Sequence, residues 1–228
     1  MKILCVSDHV DPLVYSNSAK ARFREIDLVL SAGDLPMDYL GFISSTLNRP
    51  VGFVFGNHNL KELDLFLGGG RPGLFDTSVE AQVRSYYGAT CLENKVKMME
   101  GVIIAGLGGS IAYNNGEHQF SDFAMTLRVV RLIPRLLWNR LVRGRYLDIL
   151  LTHAPPRGIH DREDRCHQGF SAFLWFIRYF RPRYLLHGHI HLYDINEERT
   201  TSYEDTRIIN VYDHFVLDVE PVRGTNDA

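Results

Sequence analysis

Short, unbroken apolar runs that stop abruptly at a small residue and then a polar one constrain the fold of this chain more than any other feature. Ile3 to Val6 ends in Ser7-Asp8-His9, Leu28-Val29-Leu30 in Ala32-Gly33-Asp34, and Val51 to Phe55 in Gly56-Asn57-His58. Runs this short, without polar alternation, fit strands buried on both faces. Stretches of helix-like spacing, Leu13 to Glu25 and Met37 to Leu47, separate them. Strand, helix and strand in that order predict a parallel sheet. Later, Leu147 to Leu151 enters Thr152-His153-Ala154-Pro155-Pro156, Phe170 to Phe180 reads as a helix, and Arg183 to Leu186 delivers Gly188-His189-Ile190-His191.

Other segments are less regular. Gly68-Gly69-Gly70-Arg71-Pro72-Gly73 reads as a loop and Val79 to Tyr87 as a short helix. Thr90 to Leu92, Val96 to Met99 and Val102 to Ala105 read as an antiparallel set of short strands, turning at Glu93-Asn94 and Glu100-Gly101. The last runs into Gly106-Leu107-Gly108-Gly109-Ser110, whose glycines let backbone amides approach a ligand. Ser121 to Arg143 reads as two helices or one helix bent at Pro134, which lacks an amide donor. Arg128, Arg131 and Arg135 form a basic stripe on it. That stripe marks either an interfacial or partner-binding helix or a helix packed on the sheet with a solvated arginine face. Ile195, Ile208 to Val211 and Phe215 to Val219 supply further strands, and the tail from Arg223 to Ala228 is expected to fray.

Composition narrows the function classes. A length of 228 residues suffices for one domain with a substantial core, and a single domain over 1–228 is expected. A net charge of -2 gives no global attraction for nucleic acid or an anionic membrane, so neither is an expected partner. Cys5, Cys91 and Cys166 are odd in number and scattered, which argues against a disulfide framework and a thiolate zinc site. The opening apolar run is too short for a signal-peptide core, and no run approaches membrane-spanning length. A soluble, cytoplasmic protein is the expectation.

Asp8, Asp34, Asn57-His58, the Gly106 to Ser110 loop, His153, and His189 with His191 all follow strand-like runs. Ligands of open parallel sheets sit outside the carboxyl ends of the strands, so most of these side chains should converge on one edge. Singly, each has a bland explanation, a carboxylate capping the next helix or a histidine satisfied in a loop. Carboxylate, amide and imidazole donors without thiolate suit manganese, iron, zinc or nickel. Seven such side chains exceed the needs of one tetrahedral ion. Two ions about 3.5 to 4 Å apart, sharing a carboxylate and a water, would activate that water for in-line attack on phosphorus. Phosphoester hydrolysis is the predicted chemistry.

Through Gly33-Asp34, Gly56-Asn57-His58, Thr152-His153-Ala154-Pro155 and Gly188-His189-Ile190-His191, in that order, the sequence resembles the calcineurin-like metallophosphoesterase superfamily over residues 6 to 191. The resemblance implies an α/β fold, a four-layer α-β-β-α sandwich with two mixed β-sheets. It implies that Asp34 bridges two metals, that Asn57, His153 and His189 complete one, and that Asp8 and His191 belong to the other. It places His58 beside the scissile phosphate, stabilising negative charge or protonating the leaving oxygen. Manganese is the foremost expected metal.

Two positions depart from the family pattern. Its first motif is Asp-x-His, and this chain has Val10 where the histidine would stand, leaving His9 or Asp11 as substitute ligands. Asn59 replaces a carboxylate that often follows Gly-Asn-His in the family. Gly109, Ser110 and His167 are candidate substrate contacts, with Tyr113, Asn114 and Asn115 ambiguous beside them. A small phosphomonoester or phosphodiester is the expected substrate. The competing reading, motivated by Val10, is a non-catalytic binding or scaffold protein that keeps the fold while its metal site decays.

Overall fold

A computed structural model of the chain describes residues 1–67, 87–114, 116–194 and 196–219. The glycine loop at 68–73, the helix at 79–87 apart from Tyr87, Asn115, the strand at Ile195 and the tail at 223–228 lie outside the described residues.

In one sheet, β1 (Lys2–Ser7), β2 (Leu28–Ser31), β3 (Val51–Phe53) and β4 (Ala89–Cys91) run parallel in that spatial order. The second has β6 (Val102–Leu107), β9 (Ile149–Thr152), β10 (Tyr184–His187) and β12 (Thr206–Asn210) as its parallel centre. Antiparallel strands close three edges: β13 (Asp213–Asp218) on β1, β5 (Lys95–Met99) on β6, and β11 (Thr200–Tyr203) on β12. A short parallel pair, β7 (Ser110–Ile111) and β8 (Gln119–Phe120), follows the glycine loop.

Period-two alternation explains why the strands are apolar throughout. Ile3, Cys5, Leu28 and Leu30 face Ile104, Ile149, Leu151, Leu186 and Ile209 in the layer between the sheets. The other parity, Leu4, Val6 and Val29, packs beneath α1 (Ala19–Arg22) and α2 (Met37–Leu47). On the far side Ile103, Leu150, Leu185 and Ile208 pack beneath α4 (Asp122–Arg143) and α5 (Ser171–Phe180), while α3 spans Leu63–Leu67. The molecule is thus the expected helix, sheet, sheet, helix sandwich.

Two local readings change, and a third, left between alternatives, is decided. The strand at 89–91 leaves the expected antiparallel set and extends the first sheet parallel to β3, because Glu93-Asn94 carries the chain from one sheet to the other; only β5 and β6 pair as hairpin partners. Helix 13–25 shrinks to α1. Ser16 competes for the backbone there, its hydroxyl donating to Leu13 O and lying 3.1 Å from that of Ser18. Residues 122–143 form one helix through Pro134, capped by Ser121, which accepts from Ala124 N at 3.1 Å, and closed by Gly144 at φ 74°. Its arginine stripe is not uniform, for Arg128 is 5% exposed and points inward.

Candidate metal centre

Backbone conformation at the strand ends builds this site. Asp8, Asp34 and His189 lie just beyond β1, β2 and β10, and all three adopt the left-handed region, at φ 64°, 58° and 68°. Each such residue costs on the order of 1 kcal/mol, a strain that clusters where side chains must be aimed for function. Neighbouring glycines make the room. A Cβ at Gly56 would come within 1.9 Å of Asp34 Oδ1, and one at Gly188 within 2.3 Å of Asp8 Oδ2.

His153, at the end of β9, is fully buried. Its Nδ1 lies 2.8 Å from Ala32 O and donates to it, which leaves Nε2 facing Asn57 Oδ1 at 3.1 Å and Asp34 Oδ2 at 3.4 Å. The Asn57 amide nitrogen donates to Tyr113 OH at 3.3 Å, so its oxygen is the atom turned inward. Asp34 Oδ1 accepts from His58 N at 2.8 Å. His189 Nε2 lies 2.7 Å from the Cys166 carbonyl, leaving Nδ1 as the free acceptor, while its backbone N–H donates to both Asp8 oxygens at 3.0 Å. Asp34, His153 and His189 each present a donor atom within 4.8 Å of the others. Two sheets therefore contribute to one cluster, at the edge expected from the sequence.

Charge is unevenly placed in it. Burial opposes ionisation of His153, but the Asp34 carboxylate, with help from Asp8 and the Ala32 carbonyl, outweighs it and raises the imidazole to about 9. Burial likewise acts against Asp34, yet His153 and the His58 N–H hold its carboxyl well below the usual range. Desolvation, reinforced by the positive charge on His153, pushes His189 down to about 3. Burial raises Asp8, only partly opposed by His153.

The donor set fits a divalent cation. Both imidazoles are oriented by a backbone carbonyl on one nitrogen, the usual way of fixing a ligating tautomer. The atoms turned inward, two ring nitrogens, a carboxylate oxygen and an amide oxygen, are all acceptors unless His153 is protonated. Such an array needs a cation or a shared proton, and nitrogen and oxygen donors without thiolate suit manganese, iron, zinc or nickel.

The Asp8 side is looser. His191 Nε2 lies 3.9 Å from Asp8 Oδ1, its side chain is 42% exposed, and Nδ1 sits 2.8 Å from Tyr193 OH. Both substitute ligands are engaged elsewhere. His9 pairs with Asp213 at 2.7 Å, while Asp11 accepts from Leu13 N at 2.7 Å and pairs with His214. Val10 packs towards the α2 layer.

At the rim, His58 is exposed, and Asn59 donates to the Asp34 carbonyl at 3.0 Å. His167 lies beside the cluster, its ring 5.5 Å from that of His189 and its Nδ1 2.7 Å from Asp164. Gly109, at φ 85°, donates to Phe55 O at 2.9 Å. Ser110 is fully buried with its hydroxyl donating to Ile111 O at 3.3 Å, which commits it to the β7–β8 turn.

Sequence reasoning missed a buried clamp behind the centre. Glu93 accepts from Gly108 N at 2.9 Å and Phe55 N at 3.3 Å, and pairs with Arg128. Arg128 also donates to Gly108 O and Asn94 Oδ1, both at 2.8 Å. His118 Nδ1 lies 2.7 Å from Gly56 O, while its Nε2 is buried without a hydrogen bond, 3.8 Å from Glu93. These residues pin the loops carrying Gly56-Asn57 and Gly108-Gly109. No local signal links a turn glutamate to an arginine 35 residues on.

Among curated proteins nothing matches significantly. Solved structures do. One crystal structure superposes with a TM-score of 0.64 at 14% identity, over 95% of this chain and 94% of that one. The crystal structure of TT1561 of Thermus thermophilus gives 0.58 at 16% identity, over 93% and 89%. At such identities the likeness concerns the fold alone. The model of the calcineurin-like phosphoesterase family matches residues 1–193, which include every strand end that carries a candidate ligand. With that match over most of its length, the chain belongs to the calcineurin-like phosphoesterase family.

Proposed function

We propose that the protein is a dinuclear-metal phosphoesterase. In this reading Asp34, Asn57, His153 and His189 hold one divalent ion, and Asp34, Asp8 and His191 hold the second. As a metallophosphoesterase it is a metal-dependent hydrolase of phosphoesters in the general sense. The observation that carries the finer reading is the clustering of Asp34, His153 and His189, with both imidazoles held by backbone carbonyls. Bound divalent ions would polarise a phosphoryl oxygen and lower the pKa of a bound water.

The chain's own residues do the rest. Asp34 is kept ionised by His153 and the His58 N–H, so it is ready to ligate at neutral pH. The Ala32 and Cys166 carbonyls hold the two rings in register. His58, exposed at the mouth, is placed to stabilise negative charge or to protonate the departing ester oxygen as the phosphorus–oxygen bond breaks. His167 borders the space a small phosphorylated substrate would enter, whereas Gly109 is buried with its N–H committed to Phe55 O. Manganese is the foremost metal for this donor set, with iron, zinc and nickel as alternatives. Three free cysteines accord with a cytoplasmic setting.

Metal content and hydrolysis of aryl phosphate monoesters and diesters test the proposal. Turnover should require a divalent metal, and His58→Ala should lower it about 10²- to 10⁴-fold while leaving metal content unchanged. Folded protein that is inactive with every divalent metal would instead support a scaffold in which the fold outlives its chemistry. The commitments of His9 and Asp11 to other partners favour that second reading.

A further inference from the structure

The outer face of α4 is apolar where a surface helix is ordinarily polar. Met125, Val129, Leu132 and Leu136 face the core. On the opposite side Phe123 (72% exposed), Leu127, Val130, Leu137, Trp138 (56%), Leu141 (79%) and Val142 stand in solvent. At 100° per residue, all but Val142 of these fall in one stripe, directly opposed to the buried one. The stripe spans Phe123 to Leu141, so it runs along about 27 Å. Its apolar area is several hundred Å² in order of magnitude, the size at which an exposed patch often marks an interaction site.

Charge around the stripe selects the occupant. Arg131, Arg135 and Arg140 flank it, and Arg143 follows at the end of the helix. Among the described residues Arg131, Arg135 and Arg143 have no carboxylate partner, whereas Arg128 and Arg145 do. The one acid of the helix, Asp122, is occupied by Ala172 N at its start. A second copy paired antiparallel on this face would set Arg131 and Arg135 against their own counterparts near the two-fold axis, a like-charge arrangement that opposes association. An anionic lipid surface complements both features. Leucine, valine, phenylalanine and tryptophan enter the headgroup boundary, and arginines on the flanks reach phosphates with their stems on the apolar face.

We propose that α4 is a peripheral docking helix, on which the protein lies flat on an anionic membrane with the Phe123 to Leu141 stripe inserted. No helix among the described residues is long and apolar enough to cross a membrane, so the contact is superficial. The sequence expectation of no membrane partner rested on global charge and on the absence of a spanning segment. The interfacial reading of this helix, which stood beside that expectation as an alternative, is the one its exposed apolar face favours.

Sedimentation with vesicles tests this on the full chain. Phosphatidylglycerol/phosphatidylethanolamine vesicles should retain it at least about ten-fold better than phosphatidylcholine vesicles, with the difference shrinking at high salt. Trp138 emission should shift to the blue on binding. Trp138→Glu with Leu141→Glu, both at exposed positions, should abolish retention while leaving hydrolysis of a soluble aryl phosphate unchanged. Arg131→Gln with Arg135→Gln should remove the preference for anionic lipid, and Val216→Glu, at an exposed apolar residue of β13, should change nothing. Absence of retention at low salt, or equal retention of the Trp138→Glu/Leu141→Glu variant, overturns the proposal. So does a stable dimer in sedimentation velocity that this variant dissolves, since that result gives the face to a second copy.

Discussion

The two halves of the proposed metal centre are built to different standards. On one side His153 Nε2 lies 3.1 Å from Asn57 Oδ1 and 3.4 Å from Asp34 Oδ2, and the Ala32 carbonyl, Tyr113 and the His58 N–H each hold one of the three in place. Opposite, Asp8 and His191 are 3.9 Å apart, His191 is 42% exposed, and Val10 offers no donor. Both sides sit on strands of the same quality, so the contrast does not come from the scaffold. It comes from the number of donors and from burial: Val10 supplies none, and His191 stands in solvent with only the hydroxyl of exposed Tyr193 beside its Nδ1. A ligating group is most effective when an outer partner has already fixed its orientation, and such partners are typically worth about 10- to 100-fold in affinity or activity.

The contrast predicts unequal responses to substitution. Asp34→Asn removes the carboxylate that the proposal assigns to both halves, and should abolish detectable metal binding on the tight side and lower turnover by about 10³-fold or more. His191→Ala touches the loose half alone and should cost about 10- to 100-fold in turnover, with tight-side metal retained. Equal losses in the two variants would erase the distinction. Val10→His supplies the absent imidazole and should tighten the weaker metal by about ten-fold, read by calorimetric titration. No gain would mean that the loop, rather than the missing donor, limits that half.

A smaller effect concerns pH. In chelated protein His153 has a pKa raised to about 9 from an ordinary 6.5, so its contribution to stability is complete below about pH 6.5 and is lost as pH rises through 9. Asp34 acts in the other sense: its depressed pKa adds stability above the usual carboxylate range, lost as pH falls through its folded value. The melting temperature of metal-free protein should therefore fall by several degrees between pH 6.5 and 9. With metal bound the sign should reverse, because a ligand must lose its proton to bind and higher pH favours the complex.

Legibility in the sequence followed the range of the interactions. That Asp8, Asp34, Asn57, His153 and His189 gather at one edge was legible because each follows a buried strand, and parallel strands bring such ends together. The four layers came from the family resemblance, and the runs are compatible with them, since a strand that is apolar on both parities must be covered on both sides. What escaped was set by partners distant in the chain. Glu93 looked like a turn residue, yet it anchors Gly108, Phe55 and Arg128. Arg128 looked like one of a solvated stripe, and only tertiary packing turned it inward. His118 gave no pattern at all, although it holds the Gly56 carbonyl. The fates of His9 and Asp11 were equally hidden, because Asp213 and His214 arrive from the last strand, about 200 residues away.

The inequality of the two half-sites can be measured most directly by titrating manganese into chelated protein and counting the ions retained after dialysis. About one ion per chain should be held tightly and a second at least about ten-fold more weakly, the tight one surviving His191→Ala and lost in Asp34→Asn. Two ions of equal affinity, or a tight ion lost in His191→Ala and kept in Asp34→Asn, would contradict it.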